Sequence, residues 1–337
     1  MERESLVETP KRIYSKRSDC AERVLSEILG QSYIEYRKRW IDASMRKLVT
    51  DFPLYIQIEH SGRCNLKCPS CIKGIEPLSK DYSRGLKPLN IALYKGILNE
   101  ARQYMCPSIS FHNNDEPFLL PDLEDRIKLA KDAGFLDIIL TTNATLLNKE
   151  RAHKILRSGV TKINFSVGAL NEDDYKERRR GGDFNAVIEN IEYFLGQKKK
   201  AGLKLPITRV TCILTKDSIK DMGRFKEFWM NKVDIVEFQN FQAIKGYTEG
   251  LRPNGAKIDD NFTCNAPWQQ VVIRANGDIL PCCSFYGIEL IIGNIKNSAI
   301  HDIWNSLQMK KIRKELLDNN FSFSSACKKC SETFYTL

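Results

Sequence analysis

Short apolar runs alternate with amphipathic segments through the middle of the chain. The apolar runs are rich in β-branched and aromatic residues, which favour strands. These predicted strands are Leu54–Glu59, Ser108–Phe111, Asp137–Thr142, Lys162–Val167, Thr208–Leu214 and Ile235–Phe238. The amphipathic segments between them carry apolar residues at helical spacing. These predicted helices are Leu93–Met105, Leu123–Ala133, Lys149–Ser158, Phe184–Lys200 and Ile219–Met230.

The repeated alternation of strand and helix predicts an α/β fold with a parallel sheet and right-handed crossovers. Several predicted helices end near Gly134, Gly159 or Gly202, and glycine suits the left-handed residue that closes a helix. The first fifty residues precede this alternation, and within them 34–40 is the strongest helix.

Three cysteines follow the first predicted strand, in the stretch Cys64-Asn-Leu-Lys-Cys68-Pro-Ser-Cys71. Clusters that only carry electrons usually have four thiolate ligands, and structural zinc sites are likewise closed by four. Three thiolates at this spacing reach three irons of a [4Fe–4S] cluster and leave the fourth iron open. The stretch therefore predicts a catalytic cluster, with a zinc site or a chance grouping as the alternatives.

In this stretch the chain resembles the radical S-adenosylmethionine (SAM) superfamily, whose signature is such a triplet on the loop after the first barrel strand. The resemblance implies a partial (β/α)6 barrel of the TIM type, with its chemistry at the carboxyl ends of the strands. It also implies that Cys64, Cys68 and Cys71 hold the first cluster, whose open iron chelates the amino and carboxylate groups of SAM.

The turn after the second predicted strand, at 111–117, resembles the family's Gly-Gly-Glu-Pro turn, which holds the SAM amino group. Asn114 and Asp115 replace the glycines, and both residue types tolerate positive φ. The resemblance makes Asp115 and Glu116 candidates for binding SAM. Without it, His112 reads as a core or turn histidine and Glu116 as a helix-start residue.

Further candidate SAM contacts follow the next strands. Thr142 and Asn143 resemble the family's Thr-Thr-Asn-Gly, which faces the SAM ribose and the substrate, and the change of its Gly to Ala144 predicts no left-handed backbone there. Ser166 resembles a serine that contacts SAM. Arg209 matches by position a cation that meets the SAM carboxylate in the molybdenum-cofactor branch, and a guanidinium suits that role. Without the resemblance, strand-end hydrogen bonding accounts for the threonine, asparagine and serine.

A second group of cysteines lies in the C-terminal third of the chain. Gly277-Asp278 predicts a tight hairpin that brings the first of these cysteines towards the last. Four separated ligands complete a closed site, for either iron–sulfur or zinc. The predicted ligands are Cys264, Cys282, Cys327 and Cys330, with Cys283 as the alternative to Cys282.

This spacing resembles the twitch domain, a shortened SPASM domain that holds one auxiliary [4Fe–4S] cluster. We therefore expect a helical extension at 1–50, a radical SAM partial barrel at 51–245 and a small twitch domain of a β-hairpin and a helix at 246–337. A cluster ligated entirely by cysteine has no open iron for substrate. That closure favours a role as electron acceptor.

The resemblance implies that reductive cleavage of SAM yields a 5′-deoxyadenosyl radical, which takes hydrogen from the substrate. With an auxiliary electron acceptor, the expected reaction is oxidation of a secondary alcohol of a sugar, aminocyclitol or related polyol, as in the butirosin-pathway type of dehydrogenase. Arg252 is the candidate catalytic residue near the substrate hydroxyl. The alternatives are a peptide-modifying member that forms a thioether, a C–C link or an epimer, and a non-catalytic zinc-binding module.

Composition and charge indicate where the protein is located and which partners it binds. The charged N-terminus lacks the apolar core of a signal peptide, and no apolar stretch is long enough to span a membrane, so we expect a cytoplasmic protein. Cys106 and Cys212 are expected to pack as small buried residues.

The basic residues behind the net charge of +10 are scattered along the chain, and runs such as 178–180 fit solvated faces. This distribution argues against binding of nucleic acid. The charge suits an anionic or carbohydrate-like small substrate and an acidic reductant of the flavodoxin or ferredoxin type.

Overall fold

The computed structural model describes residues 12–15, 20–259 and 262–336. The strands are β1 Arg12–Ser15, β2 Tyr55–Ile58, β3 Ser108–Phe111, β4 Asp137–Thr142, β5 Lys162–Ser166, β6 Ile207–Leu214, β7 Ile235–Asn240, β8 Lys257–Ile258, β9 Gln270–Ile273, β10 Asp278–Leu280, β11 Gly293–Asn294 and β12 Tyr335–Thr336. In these ranges, ten strands form one sheet in the order β1-β7-β6-β5-β4-β3-β2-β9-β10-β11. The remaining two, β8 and β12, pair with each other.

Strands β2 to β7 run parallel to one another and form the barrel. They match the six predicted strands, with ends that differ by at most two residues. The predicted α/β fold with a parallel sheet is therefore confirmed. Because all six strands point the same way, their carboxyl ends and the loops that follow them gather at one edge.

Helices alternate with these strands along the chain. The helices are α1 Cys20–Leu29, α2 Gln31–Ser44, α3 Leu78–Ser83, α4 Ile91–Gln103, α5 Leu123–Asp132, α6 Lys149–Ser158, α7 Glu172–Arg178, α8 Phe184–Lys200, α9 Met222–Met230, α10 Ala266–Gln269, α11 Ile300–Trp304, α12 Leu307–Asp318 and α13 Ser325–Glu332. In α6, the Asn148 side chain accepts from Arg151 N at the start, and Gly159, at φ +98, closes the end as predicted. The sequence pattern missed α3 and α7, and it predicted one helix in the C-terminal domain where the described residues have four, α10 to α13. It also missed the short strand β1, which lies in the predicted helical extension. Across the described ranges, no helix is long and apolar enough to cross a membrane.

Helix α2, in the N-terminal extension, closes the amino end of the barrel. The hydroxyl of the fully buried Tyr33 lies 3.3 Å from Lys162 Nζ, and that ammonium lies 2.8 Å from Asp137 Oδ2. Trp40 packs edge-on against Tyr55, with ring centroids 6.0 Å apart. Each of these barrel partners is the first residue of a strand. The helix therefore lies across the end opposite the carboxyl edge.

The C-terminal hairpin adds directly to the barrel sheet. Strand β9 pairs in parallel with β2, and β10 returns antiparallel to β9. The predicted turn is confirmed: Gly277 has φ +94 and its N–H donates to the Arg274 carbonyl at 2.8 Å. Beyond the opposite flank of the barrel, Gln242 follows β7 and forms an isolated antiparallel bridge with Phe334. The C-terminal segment thus contacts both flanks, β2 and β7.

The inward face of the barrel is polar. In β5, Phe165 packs outward against α8, and the alternation of a strand turns Asn164 to the interior. There the Thr211 hydroxyl donates to Asn164 Oδ1 at 2.5 Å. Arg209 Nη1 lies 2.6 Å from Glu237 Oε2, and the Glu237 side chain is fully buried. The interior therefore presents hydroxyl, amide and paired ionic groups.

Replacement of Tyr36 should show how firmly α2 holds the end of the barrel. Tyr36 is 4% exposed and packs edge-on against both Tyr33 and Trp40. Tyr36→Ala should lower the free energy of unfolding by about 3–5 kcal/mol, as for other buried aromatics. Ile34→Ala, on the exposed face of the same helix, should cost less than about 0.5 kcal/mol. Denaturant titration of both variants gives the comparison, and equal losses would contradict this packing.

Candidate active site

The three cysteines of the first group lie on the loop after β2. Leu66 N donates to Cys64 Sγ at 3.4 Å, and Cys71 N donates to the Cys68 carbonyl at 3.0 Å. Gly74 is required beside this turn, because a Cβ there would collide with the Cys68 carbonyl. The loop folds back on itself at the carboxyl edge of the sheet.

These thiols are close enough to affect one another. Burial raises the pKa of Cys64 to about 12, and repulsion from Cys68 and Cys71 adds to the shift. Burial likewise raises the pKa of Cys71, with repulsion from Cys68 as a smaller contribution. Metal ions bind thiolates, so iron would displace these protons and compensate the buried charge.

The donor set fits an iron–sulfur cluster. Within the described ranges, no three His, Cys, Asp or Glu side chains converge as ligands of a single metal ion. A cubane holds its irons at separate corners, so its thiolates bind at separate points. Three neighbouring thiols on one loop suit that requirement, and Cys64, Cys68 and Cys71 would hold the cluster.

Glu116 joins the loops that follow β3 and β4. Its Oε1 accepts from the Thr142 hydroxyl at 2.7 Å, and its Oε2 accepts from Asn143 N at 2.8 Å. Its own N–H donates to the Arg63 carbonyl at 2.8 Å, which attaches it to the cysteine loop. The carboxylate also accepts from Phe118 N, so the helix-start interpretation is confirmed for a short 3-10 turn. Contact of Glu116 and Thr142 with SAM stays a prediction.

Asn143 connects the loop after β4 to the cysteines. Its Nδ2 donates to Asn65 Oδ1 at 3.0 Å and lies 3.8 Å from Cys64 Sγ. Its Oδ1 accepts from Thr145 N at 3.0 Å. The side chain therefore holds two loops together where the resemblance expects SAM, and the SAM contact itself stays a prediction.

The prediction for the next residue is wrong, because Ala144 adopts left-handed backbone at φ +62. Its N–H donates to the Thr142 hydroxyl at 2.9 Å, and its carbonyl accepts from Asn190 Nδ2 at 3.0 Å. These hydrogen bonds offset the penalty of about 1–2 kcal/mol that a non-glycine residue incurs there. The loop therefore keeps the glycine-like shape without glycine.

Asp115 stabilises its own turn. Its Oδ2 accepts from Ser61 N at 2.9 Å, and its Oδ1 accepts from Asn113 N at 3.2 Å. Burial, followed by repulsion from Glu59, raises the pKa of Asp115 to about 7. Both carboxylate oxygens thus have protein partners, and the proposed contact with SAM stays a prediction.

Glu59 ties the cysteine loop to the C-terminal hairpin. The side chain is fully buried, accepts from the Tyr82 hydroxyl and lies 3.3 Å from Arg274 Nε. Arg274, from the turn after β9, also donates to the Tyr82 carbonyl at 3.0 Å. A displacement of the hairpin would therefore also move the residues at the end of β2.

Two arginines that sequence reasoning assigned to a solvated face point inward. Arg178 donates to the Gly168 carbonyl at 3.1 Å and pairs with Asp221 at 3.0 Å. Arg179 Nη1 lies 3.7 Å from Cys68 Sγ, and its Nε donates to the Val167 carbonyl at 3.1 Å. The solvated-face interpretation holds only for the exposed Arg180. Charge alone cannot tell which arginines of a run face inward, so no sequence signal identifies Arg179.

The other predicted residues lie in different surroundings. Ser166 is the last residue of β5, at the carboxyl edge, and its place suits the predicted SAM contact. Arg209 is deeper in the barrel and paired with Glu237. Arg252 is exposed and lies over the Tyr335 ring, 4.9 Å from its centroid. Their roles stay predictions, and the position of Arg252 adds no support for catalysis.

The second cysteine group gathers between the hairpin and α13. Burial raises the pKa of Cys264 to about 12, with repulsion from Cys330 next, and raises the pKa of Cys330 to about 11. Burial also raises the pKa of Cys282, followed by repulsion from Cys264. Cys283 is exposed, whereas Cys282 is half-buried. The greater burial of Cys282 therefore favours it over Cys283 as the ligand. With Cys282, the group has four thiols, which fit a closed cluster site.

Cys106 and Cys212 behave as expected. Cys106 and Cys212 are 6% and 2% exposed. Each thiol contacts a nearby backbone carbonyl. Both therefore serve as buried packing residues and provide controls for the cysteines of the two groups.

Loss of one cysteine from the first group should remove one cluster. Anaerobically reconstituted protein should hold about eight irons per chain, and Cys64→Ala about four, if each group holds a [4Fe–4S] cluster. Cys106→Ala removes a buried thiol outside both groups and should keep the full content. Iron analysis makes the comparison. Equal iron in the Cys64 variant and the parent would place the cluster elsewhere.

Comparisons with known proteins agree with this arrangement. The chain is 29% identical over 203 residues to GTP 3′,8-cyclase of Clostridium botulinum, a match that covers 58% of this chain and 60% of the relative. The match thus spans about three fifths of that curated relative. Among solved structures, BtrN in complex with AdoMet and 2-DOIA has a TM-score of 0.52 at 20% identity and covers 80% of this chain and 88% of BtrN. SuiB of Streptococcus suis, bound to S-adenosylmethionine, has a TM-score of 0.62 at 20% identity and covers 84% and 72%. At such identities the structural likeness concerns the fold.

Two family models match the chain. The model of the radical SAM superfamily matches residues 58–228, just over half of the chain, and includes the first cysteine group. The model of the SPASM iron–sulfur cluster-binding domain matches residues 264–331, which include the second group. The chain therefore belongs to the radical SAM superfamily, with a [4Fe–4S] cluster and SAM as its cofactors and a C-terminal SPASM-type iron–sulfur domain.

Proposed function

We propose that the protein is a radical SAM oxidoreductase that oxidises a secondary alcohol of a sugar, aminocyclitol or related polyol to a ketone. The observation that carries this proposal is the gathering of buried, mutually repelling thiols in the second cysteine group. It supports a closed site in which Cys264, Cys282, Cys327 and Cys330 would hold one auxiliary [4Fe–4S] cluster. A cluster with all irons ligated is suited to accept an electron rather than to bind substrate.

When bound, the cofactors supply a 5′-deoxyadenosyl radical that takes the hydrogen atom from a C–H bond and an auxiliary cluster that takes one electron, while the hydroxyl proton leaves and a ketone remains. The chain's own part is to orient that C–H bond and to exclude quenching groups. Thr211 and Asn164 face the interior as hydrogen-bonding groups. Because Arg209 is neutralised by Glu237, the chamber suits an uncharged hydroxylated substrate as well as an anionic one.

The likeness to BtrN, a radical SAM dehydrogenase of the butirosin pathway, supports an oxidation on the same fold. Curated relatives named as cyclases share the superfamily and leave the reaction type to experiment. Membership of an iron–sulfur superfamily leaves the zinc-binding module without support. A peptide-modifying activity is the competing proposal, and product analysis separates it from alcohol oxidation.

The direct test supplies anaerobically reconstituted enzyme with SAM, a reductant and polyols deuterated at single carbinol positions. The proposal expects deuterium in 5′-deoxyadenosine and one ketone per SAM consumed from the accepted polyol. Transfer of deuterium only from labelled peptides, with no ketone from any polyol of the panel, would contradict it.

We also propose that Arg179, which lies beside Cys68 and the Val167 carbonyl, supplies a cation to the carboxylate of SAM. Arg179→Met should weaken SAM binding roughly tenfold or more, as expected for a lost charge-assisted hydrogen bond. Arg180→Met, which removes the neighbouring exposed guanidinium, should leave the affinity unchanged. Equilibrium binding of SAM to both reconstituted variants measures the effect, and equal affinities would rule out this role.

Removal of an auxiliary ligand should separate SAM cleavage from substrate oxidation. Cys327→Ala should retain detectable reductive cleavage of SAM, because the first cysteine group is intact, and should lose the ketone because the electron acceptor is gone. Cys283→Ser changes the adjacent exposed thiol and should still form ketone. Quantification of 5′-deoxyadenosine and ketone gives both readouts. Normal ketone formation by Cys327→Ala would contradict the electron-acceptor role.

A further inference from the structure

The amide of Gln242 is directed at one thiol of the second cysteine group. Its Nε2 donates to Cys330 Sγ at 2.7 Å. The Ser284 hydroxyl donates to Gln242 Oε1 at 3.3 Å and lies 3.8 Å from the same sulfur. The two ends of the amide thus have complementary partners, an acceptor sulfur at one end and a donor hydroxyl at the other.

The backbone around Gln242 is held by the segment that carries Cys330. Gln242 bridges Phe334, and Ala243 N donates to the Thr333 carbonyl at 3.4 Å. Thr333 N in turn donates to the Cys330 carbonyl at 3.2 Å. A short run of antiparallel contacts therefore fixes the donor relative to the sulfur.

A third segment completes the surroundings. The Tyr286 hydroxyl donates to the Ala243 carbonyl at 3.2 Å and accepts from Lys245 N at 2.8 Å. Lys245 Nζ pairs with Glu332 at 2.7 Å across the same junction. The segment that carries Ser284 is thereby attached to the stretch after β7. Such support around a donor is typical of groups that orient and tune a metal ligand.

We propose that Gln242, oriented by Ser284, raises the reduction potential of the auxiliary cluster through a hydrogen bond to the Cys330 ligand. A donor N–H withdraws electron density from the thiolate sulfur and stabilises the more negative, reduced cluster. This inference rests on the proposed electron-acceptor role and deepens it. A substrate radical is oxidised more readily when its acceptor is easier to reduce.

The same stretch also lines the substrate chamber. Gln239, on the last part of β7, donates to the buried Glu237 at 3.1 Å, and Glu237 holds Arg209. Gln242 lies three residues after Gln239. The donor to the auxiliary thiol is thus attached to the wall from which the electron would come.

The test measures the potential of the auxiliary cluster by itself. Replacement of Cys64, Cys68 and Cys71 by Ala in the full chain leaves only the second group to bind iron, at about four irons per chain. In this background, Gln242→Leu should shift the midpoint potential to a more negative value in an EPR-monitored redox titration. Gln308→Leu, an exposed glutamine in the same domain, should leave the potential unchanged.

Two further variants test the direction of the shift in the midpoint potential. Gln242→Glu replaces the donor by an acceptor with a negative charge and should lower the potential further than Gln242→Leu. Ser284→Ala keeps the amide but removes its orienting hydroxyl, and should produce a smaller shift in the same direction. Unchanged potentials in the Gln242 and Ser284 variants, or positive shifts, would overturn the inference.

The outcome is separate from that of the proposed function. Absence of iron from the triple-cysteine background would contradict the auxiliary site itself. An intact cluster whose midpoint potential is unchanged in the Gln242 variants would overturn only the hydrogen-bond inference. A negative shift together with normal ketone formation by Cys327→Ala would uphold the hydrogen bond and contradict the electron-acceptor role.

Discussion

The parallel pairing of β2 on both of its edges is the constraint on which the rest of the structure depends. Strand β3 lies on one side and β9, from the C-terminal hairpin, lies on the other. The loop that holds Cys64, Cys68 and Cys71 begins where this strand ends. A strand with both edges hydrogen-bonded cannot slip in register without exposing its buried face. The cysteine loop therefore has a fixed origin, and the auxiliary hairpin is part of what fixes it.

Buried carboxylates form ion pairs at the amino end of the barrel, in its interior and at its carboxyl edge. Asp137 meets Lys162 near the amino end, Glu237 meets Arg209 in the interior, and Glu59 meets Arg274 at the carboxyl edge. Such pairs contribute little net stability, because desolvation offsets their attraction, but loss of one partner leaves an uncompensated charge. Their value here is positional. The first two pairs each join two adjacent strands, and the last joins the end of β2 to the C-terminal hairpin.

Local sequence signals predicted the features that depend on neighbouring residues. The six strands follow from apolar runs, the first cysteine group follows from spacing within one short stretch, and the second follows from separated cysteines around a predicted hairpin. The left-handed Ala144 could not be predicted in this way, because its loop carbonyl accepts a hydrogen bond from Asn190 on α8, far away in the sequence. Arg179 was equally hidden, since its direction depends on where α7 ends and the chain turns back to Cys68. The pairing of β9 with β2 is a long-range contact for which the hairpin pattern names no partner.

The most direct test of the account is the EPR spectrum of the reduced, reconstituted protein before and after addition of SAM. Cys64, Cys68 and Cys71 would leave one iron of the first cluster free to bind SAM, whereas four thiol ligands in the second group would leave none. The account predicts two overlapping [4Fe–4S] signals, of which only one changes when SAM is added. A spectrum that SAM leaves unaltered, or one without a reducible cluster, would contradict the central claim.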